Sequence, residues 1–402
     1  MSFDFDREIS RHGTCSVKHD GRTAYFGTPD LTPLWVADMD FAAPEAVTRA
    51  LSERAAHPIY GYTLYPDSLY DALIAWLKTR HGWEVKREWI IIAPGVVPSL
   101  FASVLAFTKP NDRVIVQPPV YFPFFSAVTT NHRQLIENPL RLTEGRYRID
   151  FEHFERCAAE GARLLLLCSP HNPVGRVWRR EELTELLHIA QRYEMTILSD
   201  EIHADLIYPG EQHTALAALA HELWPDETNH NVITAMAPSK TFNIPGLGLS
   251  SLIVPDPAQR AALNNVFAML HAGNTNPFSI AAFEAAYREG AAWLDALLVY
   301  LRDTRDFVSD YLANHLPGIR LIQPEGTYLL WLDCRALNMS DGQLRKFFVH
   351  EAQVGMNPGT VFGEGGGGFM RLNIGSPRHV IAAALERITC ALAARATSGA
   401  KA

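Results

Sequence analysis

The stretch 162-ARLLLLCSPHNPVG-175 decides how the chain is to be read. Four leucines and a cysteine follow one another without an intervening polar residue, and the run then breaks into a loop. A strand with one wet face alternates polar and apolar residues. A strand covered on both faces does not, so this run indicates a parallel sheet packed between helices. Its surroundings repeat the pattern. The segment 180-REELTELLHIAQRYE-194 places Leu183, Leu186, Leu187 and Ala190 on one helical face, as a covering helix does. Further apolar runs stand at 195-MTILSDEIH-203 and 231-NVITAMAPS-239, and upstream at 88-EWIIIAPG-95 and 112-DRVIVQPPVY-121. Helical stretches such as 97-VPSLFASVLAFT-108 separate them, which specifies an α/β fold with a mostly parallel central sheet.

The flanks read differently. Residues up to Pro44 are irregular and contain 34-LWVADMDF-41. Helices are expected over 45–55 and 67–81, the second stopped by Gly82, with the aromatic loop 57-HPIYGYTLYP-66 between them. One long helical section is expected over 281–315, followed by the strand 326-GTYLLWLDC-334 and a closing helix after Pro377. At 402 residues the chain exceeds the usual size of one domain. The expected division is a large domain over 45–288 and a smaller α+β domain over 1–44 and 289–402. The run 363-GEGGGG-368 is expected to be a flexible loop.

Composition excludes several classes of function. A net charge of -8 disfavours nucleic acid, which requires a basic face. Five widely spaced cysteines, an odd number with no CxxC pair, point to reduced thiols rather than disulfides or a metal site. The acidic start 1-MSFDFDREIS-10 is unlike a signal peptide, and no apolar run is long enough to span a bilayer. A cytoplasmic protein with no membrane partner is expected.

In open α/β sheets, ligands gather beyond the carboxyl ends of the strands. Four such ends here carry Gly95, Asn172, Asp200 and Lys240. Each is weak alone, since a glycine before a helix is commonly a turn and an aspartate after a strand commonly a cap. Together they meet the needs of pyridoxal 5'-phosphate: an amine for a Schiff base, a carboxylate for the pyridine nitrogen, a donor near the phenolic oxygen and a helix start for the phosphate.

The motifs 169-SPHNPVGRVW-178, 200-DEIH-203, 237-APSKTFNIPG-246 and 369-FMRLNIGSPR-378 resemble, in order and spacing, those of fold-type I pyridoxal-phosphate enzymes of the class I/II aminotransferase superfamily. The segments LWVADMDF and HPIYGYT narrow the resemblance to MalY/PatB-like carbon–sulfur β-lyases, often called cystathionine β-lyases. It covers essentially the whole chain and implies an aspartate-aminotransferase-like fold.

The resemblance also implies roles. Lys240 corresponds to the Schiff-base lysine that moves the Cα proton, Asp200 to the pyridinium partner and Asn172 to the donor at the phenolic oxygen. Tyr121 is similar to the aromatic residue stacked on the ring. Gly95, Val96 and Val97 are implied to hold the phosphate, Arg371 the substrate carboxylate, with Ala37 and Asn172 beside it. Tyr62 is implied to reach the phosphate from the neighbouring subunit of a homodimer. Tyr25, Tyr60, Tyr328 and Phe362 are candidates for the substrate side-chain pocket.

Three positions depart from the aminotransferase pattern. Gly248 stands where many have an arginine, Ala237 where many have Ser or Thr, and His203 where tyrosine is usual. Ser239 is the candidate substitute at the phosphate, and His203 is placed near the ring. The implied activity is elimination of a thiol from L-cystathionine or another cysteine S-conjugate, giving pyruvate and ammonia. The alternatives are an aminotransferase of an aromatic or sulfur amino acid, and a regulatory binding protein that keeps the fold.

Overall fold

The computed structural model describes residues 3–225, 230–272 and 276–399. Its centre is a seven-stranded sheet of β1 (Ile90–Ala93), β2 (Arg113–Val116), β3 (Gln134–Glu137), β4 (Ala162–Cys168), β5 (Thr196–Asp200), β6 (Val232–Met236) and β7 (Ser250–Ile253). The strand order is β1-β7-β6-β5-β4-β2-β3. Strand β7 runs antiparallel to both neighbours, and the remaining pairs are parallel.

The longer helices, to which the labels are confined, are α1 (Glu45–Ala56), α2 (Asp67–His81), α3 (Val96–Phe107), α4 (Phe151–Ala159), α5 (Arg180–Arg192), α6 (Pro257–Met269), α7 (Pro277–Glu289), α8 (Ala291–His315) and α9 (Arg378–Gly399). The unbroken leucine run now has its reason. Leu164, Leu166 and Cys168 join a core with Leu100 and Val104 of α3 and Leu263 of α6. Leu165 and Leu167 point the other way, into a core with Phe154 of α4 and Leu183 and Leu187 of α5. Each fully buried leucine contributes roughly 2 kcal/mol, so neither face tolerates a polar residue.

Register sets the strand ends side by side. Cys168 pairs with Asp200, and Asp200 with Ala235, so the loops leaving β4, β5 and β6 emerge at one level. A second, antiparallel sheet is made of β8 (Arg320–Ile322), β9 (Leu329–Asp333), β10 (Asn357–Pro358) and β11 (Phe369–Asn373), in the order β8-β9-β11-β10. The irregular N-terminal segment joins this part of the molecule, with Thr32–Pro33 pairing in parallel with Val354–Gly355.

Two local expectations are corrected. The helical section over 281–315 is not continuous, because α7 ends at Glu289 and α8 begins at Ala291. Gly290 lies at the joint, where a Cβ would run into the Phe242 ring and the Ala286 carbonyl. The glycine run 363–368 is a turn packed over part of its length rather than loose throughout: Gly366 is buried, while Glu364, Gly365 and Gly367 are exposed. Gly359 and Gly366 approach backbone to backbone, Gly363 (φ +89°) presses on the Phe125 ring, and the Gly368 N–H donates to Asp341 Oδ1 at 2.8 Å. Glycine serves both purposes there: close approach at Gly366, and the positive φ of Gly363, Gly365 and Gly368. No described helix is long and apolar enough to cross a membrane.

Candidate active site

Beyond the ends of β4, β5 and β6 lies a cavity of about 210 Å³. Lys240 reaches it from the helical turn Pro238–Thr241, which follows β6 directly and starts on a buried proline. Its Nζ donates to the Ala37 carbonyl at 2.6 Å. Burial lowers the amine to about 8, against the opposing pull of the Asp38 charge. A surface lysine is almost wholly protonated at neutral pH, whereas about a tenth of this one is neutral at pH 7.

Asp200, the last residue of β5, is buried, and burial pushes its carboxyl up to about 7. Among the described residues its side chain accepts one hydrogen bond, from the Ile202 N–H at 3.2 Å. This is a carboxylate short of a cationic partner, and it faces the cavity. Asn172 lines the same cavity, and its Oδ1 accepts from Arg371 Nη1 at 3.0 Å. With the carbonyl end of the amide engaged, Nδ2 is left as the donor.

The start of α3 forms another part of the wall. Gly95, Val96 and Val97 line the cavity, and Gly95 supplies no side-chain cap. The first helical N–H groups therefore face an opening, and Pro98 has no N–H to satisfy. Such an end with its partial positive charge suits a phosphate. Ser239 and Gly248 line the cavity as well. A side chain at 248 would be strained by the positive φ of +58°, and its Cβ would sit 3.3 Å from the Pro94 carbonyl. Tyr121 and His203 complete this side. Burial raises the Tyr121 phenol above its ordinary value and holds His203 neutral, down at about 3.

On the other side the N-terminal segment brings Ala37 into the lining, and the smaller sheet packs behind Asn172 without lining the cavity itself. Arg371 on β11 is buried; its Nη2 donates to the Trp35 carbonyl at 2.9 Å and to Asn357 Oδ1 at 2.8 Å. Phe362 lies beneath the guanidinium, 4.9 Å from ring centroid to Cζ. The Arg371 Nε is sealed from solvent and has no partner among the described residues. Tyr328 is buried and donates to the Ala37 carbonyl at 2.9 Å, so that one oxygen holds both the tyrosine and the lysine. Tyr328 and Phe362 are thus occupied in holding the wall. Tyr25, partly exposed and stacked on Trp35, accepts from Asn357 Nδ2 at 3.3 Å.

The segment around Ala37 is held by side chains that the sequence did not single out. Asn243 pairs with the backbone of Met39 and also donates to the Phe41 carbonyl, and Asn373 donates to the carbonyls of Val36 and Asp38. Arg11 grips Asp38 through two bonds and also reaches Asp40. Lys18, wholly buried, bonds Asp40 at 2.7 Å, with His19 and Ser376 on the same carboxylate. A polar residue in an irregular stretch announces no partner, so nothing local marks these contacts. Tyr62 is not brought to the cavity of its own chain; it is fully exposed, beside the exposed Ile59, Tyr60 and Leu64.

These residues fit pyridoxal 5'-phosphate. A half-buried amine with a lowered pKa, a buried carboxylate in no ion pair among the described residues, a fixed amide donor and an uncapped helix start share one cavity. The comparisons agree. The sequence matches the aminotransferase class I and II family over residues 29–388. It is 43% identical over 390 residues to cystathionine beta-lyase PatB of Bacillus subtilis (strain 168), covering 97% of this chain and all of the relative. A PLP-bound putative aminotransferase from Clostridium difficile 630 superposes with a TM-score of 0.94 at 41% identity, over 97% of this chain and 100% of that one. Cystalysin from Treponema denticola, solved with pyridoxal 5'-phosphate, superposes with a TM-score of 0.93 at 38% identity, over 98% and 99%.

Proposed function

The chain belongs to the class I and II aminotransferase family, in its PatB-like cystathionine β-lyase branch, and on that premise we propose that it is a pyridoxal 5'-phosphate enzyme cleaving L-cystathionine and related cysteine S-conjugates into a thiol, pyruvate and ammonia. The observation that carries this reading is the meeting of Lys240, Asp200 and Asn172, from three neighbouring strand ends, with the uncapped start of α3. When bound there, the cofactor supplies an electron sink for the pair left when a Cα–H bond breaks.

The remaining work falls to the chain's own residues. Asp200 would gain its missing cation from the protonated ring nitrogen and keep that proton in place. Asn172 Nδ2 would donate to the phenolic oxygen, and the N–H groups of Gly95, Val96 and Val97, with Ser239, would take the phosphate. Tyr121 would cover the ring face, and His203, held neutral, would add no charge beside it. Arg371 would orient the substrate through its α-carboxylate, with Ala37 and Tyr328 bordering that end. Lys240 Nζ would take the Cα proton as the Cβ–S bond breaks, and Lys240 or Tyr121 would return a proton to the leaving sulfur.

Elimination is favoured over transamination by the branch and by Gly248. An arginine at that position would meet the Pro94 carbonyl from a strained backbone, so the phosphate end is built without one. Purified protein supplied with the cofactor and L-cystathionine should form pyruvate and homocysteine with no keto acid present. Product formed only when a keto acid is added would overturn the lyase reading in favour of an aminotransferase.

Three further features belong to the proposal. The exposed Ile59, Tyr60, Tyr62 and Leu64 support a homodimer in which Tyr62 reaches the phosphate of a second copy. The division into 45–288 and 1–44 with 289–402 follows the two sheets. A cytoplasmic location accords with the free cysteines and the absence of a membrane-crossing helix among the described residues.

A further inference from the structure

Thr241, the residue after the lysine, is fully buried and takes no part in lining the cavity. Its hydroxyl donates to Asp205 Oδ2 at 2.8 Å. The other oxygen of that carboxylate receives Trp76 Nε1 at 3.0 Å and bonds His81 Nε2 at 2.8 Å, both from α2. Asp205 itself belongs to the segment that carries Asp200 and His203. That segment is closed by the bonds Ala204 N–H to Glu201 O and Leu206 N–H to His203 O. One buried carboxylate therefore ties together the Asp200 segment, the lysine turn and α2.

This arrangement is not what stability alone would select. A carboxylate taken out of water carries a large desolvation cost, and apolar packing of similar volume commonly serves as well. What hydrogen bonds add is direction: a turn resting on apolar neighbours can rotate, whereas one bonded at fixed length and angle cannot. Burial by itself pushes Asp205 up, but the bonds and charge from His81 and the bonds from Thr241 and Trp76 outweigh it and leave the carboxyl below its ordinary value. It is present as the acceptor that this geometry needs.

We propose that Asp205 and Thr241 are positioning residues whose hydrogen bond fixes the Lys240 turn against the Asp200 segment, holding amine and carboxylate at the separation that one cofactor molecule spans. The inference rests on the pyridoxal-phosphate reading above. Two substitutions in the full chain separate it from plain packing. Thr241→Val keeps the shape and removes the hydroxyl; Thr241→Ser keeps the hydroxyl and removes the methyl. For each, the dissociation constant of added pyridoxal 5'-phosphate is measured by absorbance titration. The pH midpoint of the bound cofactor's absorbance and the melting temperature of the cofactor-free chain are measured beside it.

Thr241→Val should hold the cofactor roughly tenfold more weakly, the scale of one buried hydrogen bond to a charged group, and should move the absorbance midpoint. Thr241→Ser should stay close to the unchanged chain in both. Cofactor binding by Thr241→Val equal to that of the unchanged chain would overturn the proposal, as would a Thr241→Ser chain that loses as much. If Thr241→Val does not fold, Thr241→Ala takes its place with the same expectations. An unchanged chain that takes up no pyridoxal 5'-phosphate would be a separate result, defeating the function reading itself.

Discussion

The two walls of the cavity are built by different means. One is the row of strand ends carrying Asn172, Asp200 and Lys240, set level by the parallel register of β4, β5 and β6. The other, where Ala37 meets the cavity with Arg371 packed behind Asn172, rests on the irregular segment 34–41 and is held by side chains that reach backbone carbonyls across long stretches of sequence. The first wall obtains its geometry from the sheet at no added cost, and so can carry unstable groups such as a desolvated amine and carboxylate. The second must invest its polar groups in staying in place.

The difference predicts that substitutions in the first wall damage chemistry more than stability, and those in the second the reverse. The largest effect is expected for Lys240→Ala. Pyruvate formation from cystathionine should fall by at least about a thousandfold, while the melting temperature of the cofactor-free chain holds or rises because a buried amine is gone. A stability loss as large as the activity loss would break the comparison.

Asp200 gives the same contrast through pH. Its carboxyl is raised above the ordinary value, so its protonated form stabilises the cofactor-free chain fully below the usual carboxylate range. That stability is lost as pH rises through about 7. The cofactor-free chain should therefore weaken between pH 4 and 8 by on the order of 3 kcal/mol from this group. An Asp200→Asn chain followed by urea unfolding should lack that decline while failing to turn over substrate.

In the second wall, Asp40 has the opposite sign. Burial pushes it up, but the Lys18 charge and the bonds from His19, Lys18 and Ser376 outweigh this and hold it well below the usual range. Its stability is present above that range and lost as pH falls through it. Asp40→Asn leaves the buried Lys18 ammonium with only the more distant Asp38, at 4.0 Å, and should cost about 3 kcal/mol at neutral pH. Denaturant midpoints at pH 7 and pH 2 should differ less in the variant than in the unchanged chain. The smallest effect is expected for Tyr328→Phe, which removes one of the two donors on the Ala37 carbonyl and should cost about 1 kcal/mol. Both turnover and thermal unfolding should register it modestly; a loss confined to turnover would move Tyr328 into the chemical wall.

Legibility in the sequence followed the same line. The unbroken run 164–168 announced a strand buried on both faces, and its neighbours placed Gly95, Asn172, Asp200 and Lys240 at one edge, because periodicity is a local property. Arg371 was reached through resemblance, not period. The partners of segment 36–41 were not legible at all, since Asn243, Asn373, Lys18 and Asp40 meet only after the chain has closed on itself. Asp205 was missed for the same reason: His81, Trp76 and Thr241 lie far from it along the chain. The glycine run 363–368 was misread because glycine serves looseness and close approach alike, and composition does not separate the two.

Gly290 has a consequence for how the chain can vary. Its missing side chain makes room for the Phe242 ring, two residues beyond the lysine, at the joint where α7 gives way to α8. A saturation library scored for activity should find this position as intolerant as the lysine itself, though no chemistry occurs there. Lineages or engineered variants that lengthen or recolour the surface of α8 have that freedom only past the joint, which works as a fixed seam in the sequence landscape.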